Sequence, residues 1–327
     1  MAAPPGLGEF ERIARFFAPL AAPGALGLTD DVALIDGPDG QQYVLTTDAI
    51  VEGLDYFPDD PVSQVAQKLL RVNLSDLAAK GATPFGYLLV TALPADRGDA
   101  WLAEFTKGLA ADQKEFGMAL LGGDSSSTPG PTTLTVMALG LVKKGKALLR
   151  SGAKAGDLIF VSGTLGDSAL GLALLKGELN NLDVSARDFF VDRYRLPQPR
   201  LMLGQKLVGI AHAALDVSDG LVADLGHLCD ASKLGATIDY PRLPLSPAAN
   251  NVINANPILN QAVIGGGDDY EIVFTAPPDA VQAVAEASRE AGVKVTEIGR
   301  MAAGKGVRVL DAQGAAMSVE IAGYRHF

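Results

Sequence analysis

The chain has 327 residues, with 27 Lys+Arg against 38 Asp+Glu and a formal net charge of −11 at pH 7. That balance argues against DNA or RNA as a partner, since phosphate backbones need clustered cations, and against an anionic membrane surface. A hydrophobic content of 48% supplies full cores, and the length exceeds one ordinary domain, so two domains are expected.

One cysteine, Cys229, excludes an internal disulfide and suits a reducing compartment, so a cytoplasmic location is expected. That single thiol and the scattered His212, His227 and His326 speak against zinc. The N-terminus carries Glu9 and Glu11 and no basic region before an apolar run, so it does not read as a signal peptide. No window approaches the roughly 18 uncharged apolar residues of a membrane span.

In chain order, Phe10, Ile13, Ala14, Phe17 and Leu20 recur at helical spacing and predict an amphipathic helix. Residues 32–36 and 43–50 read as strands, and Pro61 opens a long helix through Lys80, stopped by Gly81. GYLLVTALP reads as a strand, and 99–116 as a helix with Trp101, Leu102, Phe105 and Leu109 on one face. MALLGGD and TLTVMALGLV are apolar strands around a Gly/Ser/Thr/Pro loop at 122–132. The pattern changes at Lys143-Lys144-Gly145-Lys146; beyond it, strands alternate with helices expected at 168–176, 220–233 and 278–291. The expectation is an α+β N-terminal domain with a strand-rich sheet, residues 1–145, followed by an α/β C-terminal domain, residues 146–327.

The informative feature is where the acids sit. Thr29-Asp30-Asp31, Thr46-Thr47-Asp48, Asn73-Leu74-Ser75-Asp76, Gly122-Gly123-Asp124-Ser125, Asp216-Val217-Ser218-Asp219-Gly220 and Gly266-Gly267-Asp268-Asp269 set carboxylates beside small residues, with almost no base adjacent. Hard divalent cations take oxygen ligands, and magnesium is usually held by one or two carboxylates plus waters and substrate phosphates. So many segments predict several ions. Taken singly, each segment is also a turn or a helix cap, and Asp219-Gly220 before LVADLGHL could be only that. Asp76 and Asp216 resist that reading. Asp76 falls inside an apolar helix pattern where an acid needs a partner, and Asp216 continues an apolar strand.

Other phosphate motifs are missing. No G-x-x-x-x-G-K-[ST] occurs, nor the H-R-D and D-F-G pair of protein kinases. Gly163-Thr164-Leu165-Gly166-Asp167-Ser168 follows a strand and opens a helix, like a phosphate-binding turn, although a plain strand-to-helix connection explains it as well. Arg150 is a candidate phosphate fork or a linker surface charge, and His227 reads as a helix-face histidine rather than a base.

These residues stand in ten ordered blocks: GEFERIARFF, TDDVALI, TTDAIVEG, VNLSDLAAKGATP, LLGGDSSS, LRSGAKAGD, VSGTLGDSALGL, LDVSDGLVADLGHL, GGGDDYEIVFT and GYRHF. In them the chain resembles the thiamine-monophosphate kinases of the aminoimidazole ribonucleotide synthetase-like superfamily, over essentially its whole length. The resemblance implies transfer of the ATP γ-phosphoryl to thiamine monophosphate. It also implies a homodimer formed through the N-terminal domains. By motif, Asp31, Thr46, Thr47, Asp48, Asp76, Asp124, Asp216 and Asp219 would bind magnesium. Gly123, Asp124, Arg150 and Ser218 would contact ATP, and Asp55, Asp268 and Tyr324 the acceptor. The family pattern V-E-G-x-H-F reads here Val51-Glu52-Gly53-Leu54-Asp55-Tyr56, an acid replacing the histidine, and G-G-E-D-Y-E has Asp268 in place of its first Glu. The usual G-D-D is Thr29-Asp30-Asp31.

The implied chemistry fits an acid-rich site without a catalytic histidine. A phosphate monoester has its second pKa at about 6, so it is already largely a dianion at neutral pH and needs no general base. Two alternatives remain from the residues: another ATP-dependent synthetase of the superfamily, or an ATP-binding homologue without turnover. The selenophosphate synthetases resemble this pattern but need an N-terminal cysteine or selenocysteine, and Cys229 stands elsewhere.

Overall fold

A computed structural model describes residues 8–319 and 323. The N-terminal pattern does not make one continuous helix. A short α1, Glu9–Arg12, widens into a π turn and then tightens to 3-10 geometry at Ala18–Leu20, and Phe16, Phe17 and Leu20 stay exposed. Without a buried apolar stripe, the spacing alone does not hold a regular helix.

The first sheet comprises β1 (Ala33–Asp36), β2 (Gln41–Val51), β3 (Thr83–Leu93), β4 (Ala119–Ser127) and β5 (Thr133–Lys143), in the order β1-β2-β5-β3-β4. It is antiparallel except for β3 and β4, which run parallel across the helix α3 (Asp99–Phe116). Along β5 buried and half-buried residues alternate, so Leu134, Val136 and Ala138 face the core under α3 and α2 (Val62–Ala79). The glycine-rich segment predicted as a loop at 122–132 is instead largely strand: β4 runs through Gly122, Gly123 and Asp124 to Ser127. Gly123 is required there, because a Cβ would meet the Leu89 carbonyl of β3 at 1.8 Å. Every residue of β4 is exposed, and Leu120, Leu121, Phe85 and Val90 leave an apolar edge uncovered.

The second half alternates strand and helix: β6 (Leu158–Ser162), α4 (Asp167–Leu175), α5 (Val184–Arg195), α6 (Leu201–Leu207), β7 (Ala213–Asp216), α7 (Leu221–Ser232), β8 (Gly235–Asp239), α8 (Pro247–Ala255), α9 (Asn260–Gly265), β9 (Ile272–Ala276), α10 (Val281–Ala291), β10 (Val295–Ala302) and β11 (Gly306–Leu310). Its six strands lie in the order β11-β8-β10-β6-β9-β7, and only β11 and β8 pair in parallel. The central strands are buried on both faces. Ile159 and Val161 of β6 enter one core with α4 and α7, while Leu158 and Phe160 enter another with α6 and α10.

The long helix α2 joins the halves. Fourteen of its eighteen residues are buried, because the sheet, α3 and the second half enclose it. Ala78 near its end packs into the core under α6, and Gly204 of α6 has no room for a side chain: a Cβ would lie 1.8 Å from the Ala78 carbonyl. A helix enclosed on every side has to place its polar groups on partners. Arg71 takes Asp112 through Nε and Nη2 at 2.7 and 2.9 Å, while Asn73, Ser75 and Asp76 line the site.

Candidate active site

Four chain segments bring carboxylates together where β2, α2 and β7 meet. Asp31 stands at the turn before β1, Asp48 on β2, Asp76 on α2 and Asp216 at the end of β7. Asp31, Asp76 and Asp216 can each offer an oxygen, with these atoms all within 4.8 Å of one another. Local structure fixes each one. Strand alternation puts Thr46 and Asp48 on the site face, and the Thr46 hydroxyl donates to Asp76 Oδ2. The Asp48 amide donates to Asn73 Oδ1 at 3.1 Å, and Ser75 Oγ donates to Asp216 Oδ2 at 2.6 Å. Thus Asn73, Ser75 and Asp76, one turn of α2, bind β2 and β7 to the same point.

Two cations face this cluster. Lys80, fully buried, reaches Asp30 Oδ1 at 2.8 Å and Asp31 Oδ2 at 2.5 Å, and donates to the Ala214 carbonyl at 3.3 Å. The Arg150 guanidinium pairs with Asp31, and the Arg150 amide donates to Asp30 Oδ2 at 2.8 Å. Arg150 is therefore a constituent of the site rather than a linker surface charge. Burial acts to raise the Asp31 carboxyl, but Lys80 and Arg150 bring it down to about 2. The other three carboxyls move the opposite way. Burial, then the charges of Asp216 and Asp31, push Asp48 up to about 7. Burial, then the Asp31 charge, raises Asp216 to about 6, and burial with the charges of Asp216 and Asp48 carries Asp76 well above the usual range.

The donor set is all oxygen, from carboxylates and a hydroxyl, and its negative charges are only partly balanced by Lys80 and Arg150. Both properties fit a hard divalent cation such as magnesium, which would relieve the repulsion that holds these carboxyls up.

The remaining site residues divide. Thr47, between two site residues on β2, points to the other face and donates to the Val136 carbonyl at 3.0 Å. Asp124 and Gly123 lie exposed on β4, three strands from β2 in the sheet, so the single chain does not bring them into the cluster. Ser218 and Asp219 follow β7 directly, and the Ser218 carbonyl accepts from the Asp268 amide at 2.7 Å. The turn into α7 is closed by Asp224, whose Oδ2 accepts from the amides of Asp219 and Gly220 at 3.1 and 3.0 Å. Asp224, not the neighbouring Asp219, takes these turn amides. Asp55 and Asp268 approach each other across the two halves through Lys68. Tyr324 lies outside the described residues.

The phosphate-turn reading of Gly163–Ser168 fails. Asp269, 1% exposed, accepts from the Gly166 amide at 2.7 Å and the Ser168 amide at 3.4 Å. The protein's own carboxylate fills the position an anion would take at the start of α4. Of the described histidines, His227 lies tilted against Phe10 with ring centroids 4.2 Å apart, within reach of the charges of Arg150 and Asp31, and His212 pairs with Asp157. Sequence reading missed Lys80, Lys68 and Asp30. The available signal was their position: Lys68, Asp76 and Lys80 recur at multiples of four along the helix.

Comparison with known proteins places the chain in a family. The N-terminal domain of AIR synthase related proteins matches residues 29–142, and the C-terminal domain matches residues 154–312. The chain belongs to the AIR synthase related family. Within it the chain is a member of the thiamine-monophosphate kinase family: it is 43% identical to the Caulobacter vibrioides thiamine-monophosphate kinase, covering 94% of this chain and 87% of that protein. To the Escherichia coli thiamine-monophosphate kinase it is 41% identical, with 98% of each chain covered. The solved structure of AaThiL complexed with AMPPCP and TMP superposes with a TM-score of 0.85 at 30% identity, covering 98% of this chain and 97% of that one. HypE from Escherichia coli, a hydrogenase maturation protein, shares the fold at 21% identity and a TM-score of 0.71.

Replacing Lys80 by Met leaves Asp30 and Asp31 buried with one cation fewer. The expected loss is about 3–5 kcal/mol of unfolding free energy in urea titrations without divalent ions. A loss below about 1 kcal/mol, the scale of an exposed ion pair, would contradict the role given to Lys80.

Proposed function

We propose that this protein transfers the γ-phosphoryl group of ATP to thiamine monophosphate, yielding thiamine diphosphate and ADP by direct in-line displacement. The acceptor and donor follow those named for its relatives and for the AaThiL complex. The observation that carries the reading is the aspartate cluster: oxygen ligands from four segments converge in a buried volume. That is what two anionic reactants need, since the acceptor phosphate is already a nucleophile and the barrier lies in charge and positioning.

We assign magnesium binding to Asp31, Thr46, Asp48, Asp76, Asp216 and Asp219, with Asp124 of β4 joining them only from the second copy of a homodimer; Thr47 could reach an ion only through its main chain, its hydroxyl being held by Val136. Magnesium bound there would supply positive charge to the phosphoryl oxygens of both substrates. Gly123, Asp124, Arg150 and Ser218 contact ATP in this reading, and Asp55, Asp268 and Tyr324 the acceptor. Arg150 brings a planar donor fork suited to phosphate. The carboxylates of Asp55 and Asp268 are opposite in charge to the thiazolium cation of the acceptor.

The two-sheet arrangement supports a division into residues 1–145 and 146–327, with the site drawing on both. The uncovered apolar edge at Phe85, Val90, Leu120 and Leu121 supports a homodimer through the N-terminal sheets. ATP as co-substrate supports a cytoplasmic place of work. Among the described residues, no helix is long and apolar enough to cross a membrane.

The parent protein is expected to form thiamine diphosphate only with Mg²⁺ present, and Asp48→Asn and Asp124→Asn each to lower turnover on the order of 10²–10³-fold with unchanged circular dichroism. Near-parent rates in both variants would refute the metal-site assignment. For the dimer, Leu121→Asp should halve the mass measured by light scattering; a parent protein that runs as a monomer would rule the homodimer out.

A further inference from the structure

Three contacts converge on one ammonium outside the aspartate cluster. Lys68 is only 3% exposed, yet its Nζ lies 3.1 Å from Asp268 Oδ2, donates to the Asp55 carbonyl at 2.9 Å and stands 3.8 Å from the Tyr194 ring centroid. The Tyr194 hydroxyl donates to that same Asp55 carbonyl at 3.1 Å. One buried cation therefore ties the segment after β2 to the segment before β9.

Both segments need holding. Asp268 has φ of 66° and Tyr270 of 50°, a left-handed region that non-glycine residues occupy at a cost and keep only when their surroundings impose it. Their amides donate to the Ser218 and Val217 carbonyls at 2.7 and 2.8 Å, which joins this strained turn to the residues just beyond Asp216. On the other side, the Val51 amide donates to Asp55 Oδ2 at 2.8 Å, so the Asp55 side chain closes its own turn. An ammonium buried on an aromatic face is costly unless its partners are fixed, and fixing Lys68 fixes both partners together. One ammonium against two carboxylates leaves the pair net negative, the sign that attracts a cationic ring.

We propose that Lys68, with Tyr194 beneath it, is a positioning residue for the acceptor side. It sets the Asp55 and Asp268 segments in one arrangement before substrate arrives, and so favours a phosphate monoester carrying a cationic ring. The inference rests on the reading of thiamine monophosphate as the acceptor. Lys68 itself is buried and acts through the Asp268 carboxylate and the Asp55 main-chain carbonyl.

The test compares Lys68→Met and Lys68→Arg with the parent protein in two measurements. Hydrogen exchange reads the segments directly, without any substrate. In Lys68→Met the amides of residues 51–56 and 266–271 should exchange faster together while β5 keeps its protection, and Lys68→Arg should restore both. In steady-state kinetics, Lys68→Met should raise the KM for thiamine monophosphate on the order of 10²-fold with the KM for ATP unchanged, and Lys68→Arg should recover most of it. Parent-like exchange in both segments would overturn the proposal. So would lost protection in β5 as well, which marks a general structural role, or an equal rise in both KM values. If the parent forms no thiamine diphosphate while the two segments loosen in Lys68→Met, the acceptor reading fails and the positioning role stands.

Discussion

Burying several carboxylates in one place is the constraint on which the rest of this structure depends. Asp31, Asp48, Asp76 and Asp216 come from four separate segments; the Asp31 charge raises the cost of ionising the other three, and the Asp216 charge that of Asp48 and Asp76. Such an arrangement persists only if the scaffold pays the cost elsewhere. Lys80 and Arg150 supply two compensating charges, both directed at Asp31. Thr46 and Ser75 supply hydroxyl donors to Asp76 and Asp216. The charge that remains is what a magnesium-loaded phosphate site would use.

The helix α2 makes this possible. An ordinary surface helix buries one stripe, but α2 lies between the first sheet, α3 and the second half and has little free surface. Its polar residues are consequently committed in opposite directions: Arg71 to Asp112 of α3, Asn73 to β2, Ser75 to β7, Lys80 to the turn before β1, and Lys68 to the segment before β9. Metal side and acceptor side are thus set by one rigid element. A shift of α2 would move both, which is how a site assembled from distant parts of the chain can be held to tight tolerances.

Much of this was legible in the sequence where chemistry contradicts local propensity. Asp76 in an apolar helix and Asp216 ending an apolar strand have no turn to explain them, and both belong to the cluster. The long helix at 61–80 and the helix at 99–116 followed from periodicity and clear stop signals. The failures have equally physical causes. Gly122–Ser127 carries turn residues, yet a parallel partner strand and close backbone approach make it β4. Gly163–Ser168 has the look of an anion turn, but the carboxylate that satisfies it, Asp269, comes from a hundred residues away. The first helix has the right spacing and no buried surface to lay it on. Lys68 and Lys80 were hidden because a lysine in a helix ordinarily reads as solvated, and only tertiary packing reveals that these are not.

The most direct measurement of the central claim is a crystal soaked in Mn²⁺, an oxygen-seeking ion of the same class as magnesium, with anomalous scattering recorded at the manganese edge. The account predicts anomalous density among the carboxylates of Asp31, Asp76 and Asp216, lost in Asp76→Ala. An empty cluster in crystals that hold manganese elsewhere would contradict it.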